Sequence, residues 1–420
     1  MAAASDCDIA VVGGGPAGLM LGFLLARAGI RVIVLEKHAD FLRDFRGDTI
    51  HASTLDLMHE LGLLEAFLKL PHQRITRLEA AFGKDKMVLG DTSRLPARCK
   101  FVAIMPQWDF LDFTAKQGRR YPGFDLRMSC KAQSLLFDDR ERVCGVQTRW
   151  ADGSTPEDIR ANLVVACDGR HSALRDQMIG RGDLEKIERG AAIDALWFRL
   201  PRQAQDPSSV GLCVAAGRAL IMIARGDYFQ CGYIIAKDSL PALQAKGIGA
   251  LQDGIAALAP FMAGRVAALT DWEAVKLLTV QVNRLQKWHR PGLLCIGDAA
   301  HAMSPVGGVG VNLAIQDAVA AANLLYRGIS AGEDLDTVAA RVQERREWPT
   351  KLIQAGQVAV QNTLAERYLS LPAEMAGPIR APLPLRLVDA VPTLQRLLAR
   401  LVAVGPRPEH VATPDCRAAF

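Results

Sequence analysis

Four places in the chain put bare backbone or an acid where a phosphate, a ribose or a flat ring could approach. Gly13, Gly15 and Gly18 form a GxGxxG loop after the apolar run DIAVV. Glu36 closes the next apolar run, RVIVLE. Asp168-Gly169 follows LVVAC, and Gly297-Asp298 follows GLLCI, with Pro305, Gly307, Gly308 and Gly310 just beyond. In the first loop Gly13 permits a tight turn, Gly15 lets a pyrophosphate reach the backbone, and Gly18 lets a helix pack close to a strand. The start of that helix offers unpaired N–H groups and a positive dipole end to an anion. Glu36 stands about twenty residues after the loop, where a carboxylate accepts hydrogen bonds from ribose hydroxyls and repels a 2′-phosphate. The chemistry expected of this set is the binding of a dinucleotide that lacks the 2′-phosphate. Ala17 and Lys37, beside the loop and beside the acid, complete its candidate contacts.

These residues need strands and helices to hold them. DIAVV, LVVAC and GLLCI read as short buried strands, each ending on its motif. PAGLMLGFLLARAG reads as a helix stopped by Gly29, and it falls short of the ~20 residues that a bilayer requires. No membrane span and no membrane partner are expected. Half of the 420 residues are apolar and 23% are charged, as in a globular protein of two joined domains. The net charge of +5 and the 6% aromatics are too mild for a nucleic-acid surface. The nine cysteines are scattered, with no CxxC pair, and no secretory signal precedes the first strand. Neither a disulfide framework nor a metal site is indicated, and a reducing, cytoplasmic setting is expected.

Taken in order and spacing, the GxGxxG loop, the mid-chain Asp-Gly and the late Gly-Asp resemble the FAD-dependent aromatic hydroxylases. These are the single-component flavoprotein monooxygenases related to para-hydroxybenzoate hydroxylase. The likeness runs from about Asp8 to Ala318. It implies an α/β fold: a Rossmann-like FAD-binding domain, an inserted substrate domain of β-sheet plus helices, and a helical C-terminal region. It also implies that Asp298 meets the ribityl chain of FAD and that Pro305 lies against the flavin ring. Backbone from Gly308 through Gly310 and Val311 to Asn312 would face the flavin N1–C2=O edge. Arg46 and Gln107 match family positions near the FAD phosphate or ribose and near the ribityl chain. Asp168 would help to hold both the FAD pyrophosphate region and the nicotinamide donor.

The reaction implied by the resemblance uses NADH or NADPH to reduce FAD. O₂ is then captured as a C4a-hydroperoxide and one oxygen passes to an aromatic or polycyclic, polyketide- or quinone-like, small molecule. No second GxGxxG with strand and acid occurs, so the nicotinamide is expected to dock transiently. A reductase or dehydrogenase of the same fold, without oxygen insertion, is the alternative enzyme; a non-catalytic flavin-fold binding protein is the third reading. None of Tyr121, Tyr228, Tyr233, Tyr326 and Tyr368 matches the tyrosine pair that deprotonates a phenol in para-hydroxybenzoate hydroxylase, and Val309 stands where that enzyme has a lysine. His51 is the candidate base, with a structural histidine as its competing reading, and His301 reads as structural.

The expected FAD-binding domain takes residues 1–178 and 291–370, including part of the substrate sheet near 72–105. The substrate domain takes 179–290 and a C-terminal helical cap takes 371–420. Within that cap Leu394, Leu397, Leu398, Leu401 and Val402 follow helical spacing, with Arg396 and Arg400 facing away. A capping helix, a membrane-surface helix and a dimer helix share that signature, so a homodimer stays open. Tyr228 and Tyr233 could line the sheet above a ligand or fill its core.

Overall fold

The computed structural model describes residues 6–42, 49–207, 210–373, 375 and 379–417. Five parallel strands form its centre, in the order Leu293–Cys295, Glu157–Ala166, Cys7–Val12, Val32–Leu35 and Phe124–Arg127. The first four carry the apolar runs of the sequence, whose residues are buried as those of a parallel sheet are, while the edge strand Phe124–Arg127 is only partly buried. The strand Glu157–Ala166 serves two sheets. Residues 157–160 pair antiparallel with Val143–Trp150, and residues 161–166 pair parallel with Cys7–Val12. The helix Pro16–Arg27 follows the first strand, and at Gly18 a Cβ would collide with the Gly13 carbonyl oxygen. Close crossing of strand and helix therefore needs glycine there.

A second sheet of seven strands runs in the order Lys276–Leu278, Ile193–Pro201, Tyr228–Ala236, Arg218–Arg225, Val210–Ala215, Arg77–Phe82 and Asp85–Asp91. The hairpin of residues 77–91 thus joins strands from residues 193–278. One face packs Leu196, Phe198, Leu220, Phe229 and Tyr233 on Leu251, Ile255 and Met262 of the following helical segments. Tyr233 belongs to this core, its hydroxyl 2.5 Å from where a Cβ on Gly254 would lie. On the other face Ile221, Ile223 and Trp197 meet Ile75 and Ile104. Those two isoleucines come from a three-stranded sheet of Thr49–Ile50, Val102–Ile104 and Gln73–Ile75.

The long helix Gly310–Ser330 packs against Pro16–Arg27, and Leu335–Leu364 lies beside it. The stretch Val306–Ser330 is long and apolar enough to cross a bilayer, but 72% of its apolar window is buried inside the protein, so it reads as a core helix. Helices Leu383–Ala390 and Pro392–Ala403 cover the strand Asp85–Asp91. Beyond them the expected helical cap gives way to an irregular strap, residues 404–417, laid back over the first domain. Arg27 Nη1 donates to Thr413 O, and Cys416 N to Arg27 O at 2.8 Å. Polar side chains and prolines in GPRPEHVATPD leave this segment no periodic apolar face, so its order comes from contacts with distant residues.

Candidate functional site

All three motifs leave the carboxyl ends of adjacent strands. Val12 is in register with Ala166, and Ala166 with Cys295. Gly13, Asp168 and Gly297 therefore come within two residues of one line across the sheet. The crevice outside the carboxyl ends of such strands is where open α/β sheets bind ligands. Gly297 brings the late motif against the first loop: a Cβ there would lie 3.5 Å from Ala17 Cβ and 3.1 Å from Ala314 Cβ.

Glu36 is fixed rather than loose. Its Oε2 accepts the Gly14 N–H at 2.9 Å and its Oε1 the His38 N–H at 3.0 Å. Gly15 has ordinary helix-start backbone angles, and a Cβ on it would meet no protein atom within 4 Å. The fold itself does not require glycine at that position; the open space in front of it does the selecting. No side chain caps the helix that follows, leaving its first N–H groups directed outward. Lys37 is exposed just beyond Glu36.

Asp168 accepts the Ala173 N–H through Oδ2 at 2.9 Å, while its buried Oδ1 has no hydrogen-bond partner among the described residues. Burial pushes this carboxyl up, against hydrogen bonds from Ser172, Leu174 and Ala173. A buried carboxylate oxygen without a donor is the kind of atom a ligand hydroxyl or N–H satisfies. Asp298 is half-buried and pairs with Arg170 at 3.5 Å. Buried Arg175 ties the two loops together, donating to Arg170 O at 2.9 Å and to Ala299 O at 3.5 Å. Arg170 carries no signal in the sequence beyond its place directly after Asp168-Gly169.

The segment from Pro305 to Asn312 folds over the strand Thr49–Ile50. Gly308 has φ +62°, and a Cβ on it would come 2.6 Å from Thr49 Oγ1, which donates to Gly308 O at 2.8 Å. Asn312 spends its side chain on structure: Oδ1 accepts from His51 N and Thr54 Oγ1, and Nδ2 donates to Thr49 O at 2.8 Å. The helix beginning at Gly310 has no side-chain cap, so the N–H groups of Gly310, Val311 and Asn312 remain available to a ligand edge. Gln107 begins the helix Gln107–Gly118, half-buried, its side chain without a hydrogen bond among the described residues. Arg46 lies outside the described residues.

His51 departs from the expected base. It is 2% exposed, its Nδ1 sits 2.9 Å from Val402 O, and burial pushes its pKa down to about 4. A neutral imidazole donating to a carbonyl is a poor proton acceptor, so the structural reading prevails. His301 is likewise committed. Its Nε2 lies 2.5 Å from Asp317 Oδ2, which also accepts the Gly297 N–H at 3.1 Å. Arg346 donates to Asp317 Oδ1 at 2.9 Å and to Glu409 Oε1 at 3.1 Å. Burial pushes the Asp317 carboxyl up, but His301 and Arg346 hold it below its usual value. This buried chain of charges links the Gly297 turn to the C-terminal strap. Among the described residues no cluster of three or more metal-ligating side chains occurs.

The residues present fit a flavin dinucleotide: an unfilled space at Gly15, a fixed acid at Glu36, an unpaired oxygen on Asp168 and an uncapped helix start at Gly310. The FAD binding domain family matches residues 6–355. The chain is 32% identical over 355 residues to 6-methylpretetramide 4-monooxygenase of Streptomyces rimosus, covering 82% of each. It is 27% identical to dialkyldecalin synthase of Streptomyces rugosporus, spanning 74% of this chain but 63% of that one. The crystal structure of PqsL from Pseudomonas aeruginosa with 2-aminobenzoylacetate superposes with a TM-score of 0.74 at 22% identity, over 86% of this chain and 97% of that one. The Rossmann-like architecture and the resemblance read from the motifs are thereby borne out: the chain belongs to the FAD-binding monooxygenase family.

Proposed function

We propose that this enzyme is an NADH- or NADPH-dependent FAD monooxygenase that hydroxylates an apolar aromatic small molecule of polycyclic, polyketide or quinone type. The observation that carries the reading is the convergence of Gly15, Asp168 and Gly297-Asp298 on one crevice, beside an uncapped helix start at Gly310. The likeness to a 6-methylpretetramide monooxygenase supports the polycyclic class. Bound FAD would supply hydride acceptance from the nicotinamide and activation of O₂.

The chain's own residues bind, orient and exclude water. Backbone at Gly15 and the helix behind it would take the pyrophosphate, and Glu36 an adenosine ribose. Asp168 and Asp298, with Arg170 between them, would hold the middle of the cofactor. Pro305 would lie against the ring, and the N–H groups of 310–312 would stabilise negative charge on its pyrimidine edge. For the substrate we assign the part of the second sheet's face beside Trp197, next to where Ile221 and Ile223 pack on Ile75 and Ile104. Trp197 lies flat on Gly232, with ring atoms 3.3–3.4 Å from where a Cβ would sit, and its buried Nε1 has no partner among the described residues. An apolar wall with one unpaired donor suits a fused ring bearing a carbonyl or phenolic oxygen. With His51 neutral and held by Val402, ring activation rests on the electron richness of the substrate itself.

The test is anaerobic addition of NADPH, then NADH, to FAD-loaded protein with a panel of phenols and quinones, followed by labelled O₂. Flavin bleaching accelerated by one ring class, with label in the product, supports the proposal. Rapid reduction with no label incorporated would favour the reductase alternative, and failure to retain FAD would overturn the site.

A further inference from the structure

The two C-terminal helices bury one face and leave the other bare. Ala399 and Ala403 pack with Ala52 and Leu95, while Leu401 and Val402 pack with Met303, Val309 and Leu313. The outer face exposes Leu383 at 64%, Leu387 at 50%, Val391 at 39%, Leu394 at 37% and Leu397 at 60%. Single exposed leucines are ordinary, whereas five large apolar side chains along two consecutive short helices form a patch. Along these helices and the segment before them basic residues prevail. Residues 379–404 contain Arg380, Arg386, Arg396 and Arg400 against a single acid, Asp389. That acid is occupied, accepting the Val88 N–H at 2.8 Å. None of the four arginines, all exposed, forms an ion pair among the described residues. On the underlying strand, exposed Asp85 and Lys86 offset each other.

We propose that this helical pair is a docking face for an anionic membrane surface. Leucines flanked by unpaired arginines match both layers of such a surface, the acyl boundary and the anionic headgroups. A second copy of the chain fits less well, because a two-fold contact would set this arginine-rich face against itself. The placement has a use. Val402, on the buried side of the same helix, would lie 3.7 Å from a Cβ on Gly307 and holds His51 through its carbonyl. The helix touching lipid on one side therefore touches the Pro305–Asn312 loop on the other, where an apolar substrate dissolved in the bilayer could be taken up. The docking itself does not depend on the proposed hydroxylation.

Co-sedimentation of the FAD-loaded protein with phosphatidylcholine vesicles, with and without phosphatidylglycerol, tests this face. Binding is expected to vesicles containing phosphatidylglycerol and to fall with added salt. Each of Arg386→Gln, Arg396→Gln and Arg400→Gln should weaken binding about five-fold, equivalent to about 1 kcal/mol. The combined Leu383→Ser, Leu387→Ser and Leu397→Ser variant should weaken it at least about ten-fold. Its FAD affinity and melting temperature, measured alongside, should stay close to the parent's, since at least half of each altered residue is exposed. Equal binding to neutral vesicles, no binding at all, or a dimer that dissolves on the leucine substitutions would each overturn the proposal.

Discussion

Gly15 and Gly18 are indistinguishable in the motif and opposite in cause. A methyl group on Gly15 would meet open space, whereas one on Gly18 would collide with Gly13 O. Gly15→Ala should therefore leave the melting temperature of the apoprotein nearly unchanged while weakening FAD binding at least about ten-fold by flavin fluorescence titration, and Gly18→Ala should fail to fold stably. Equal apoprotein stability for the two variants would contradict the assignment. His51 carries a pH signature. Its folded pKa, about 4, lies below its ordinary 6.5, so the unfolded chain binds the extra proton first as pH falls. Its contribution to stability is complete above pH 6.5 and lost between there and about 4, worth roughly 3 kcal/mol. His51→Asn retains a donor toward Val402 O, so urea melts should show a flatter acid limb with little change at neutral pH. Glycines and Glu36 were legible in sequence because a missing Cβ and a carboxylate at a strand end have few other uses in that setting. Trp197 was not, since nothing in an alternating strand marks which tryptophan lacks a partner for its N–H.

At the scale of elements, the turn at Gly297 is held from outside the site. Asp317, His301, Arg346 and Glu409 are at most 3% exposed and form one buried run of charge. Removing one partner from such a run strands the others. Arg346→Met should cost about 3–5 kcal/mol by chemical denaturation. Loss below about 1 kcal/mol would mean that the strap and the turn are independent. Strand ends, the first helix and the amphipathic spacing of Leu394–Val402 were readable as local periodicity. The strap was expected to be helical and is not. Its order depends on Arg345 and Arg346 reaching Glu409, and on Glu60 reaching His410 and Val411 N, which no local pattern reports.

Across the whole molecule, the order of motifs along the chain announced a first sheet assembled from distant segments, because strands that carry one crevice must be neighbours however far apart they lie in sequence. The hairpin Arg77–Asp91 crossing into the second sheet was harder to place, as its alternation suits either sheet. A crevice shared by segments from residues 13 to 312 should make the cofactor a global brace. FAD at one hundred times its dissociation constant should raise unfolding free energy by about 2.7 kcal/mol, and an unshifted melting curve would sever cofactor from fold. The clasp of Arg27 by Thr413 spans 386 residues. At about 5–20 residues per second, a ribosome delivers the second partner roughly 20–80 s after the first. For that interval the flank of the opening helix faces the translating cell without its cover, so the nascent chain spends much of its synthesis in a state that invites chaperones or proteases before the clasp can close.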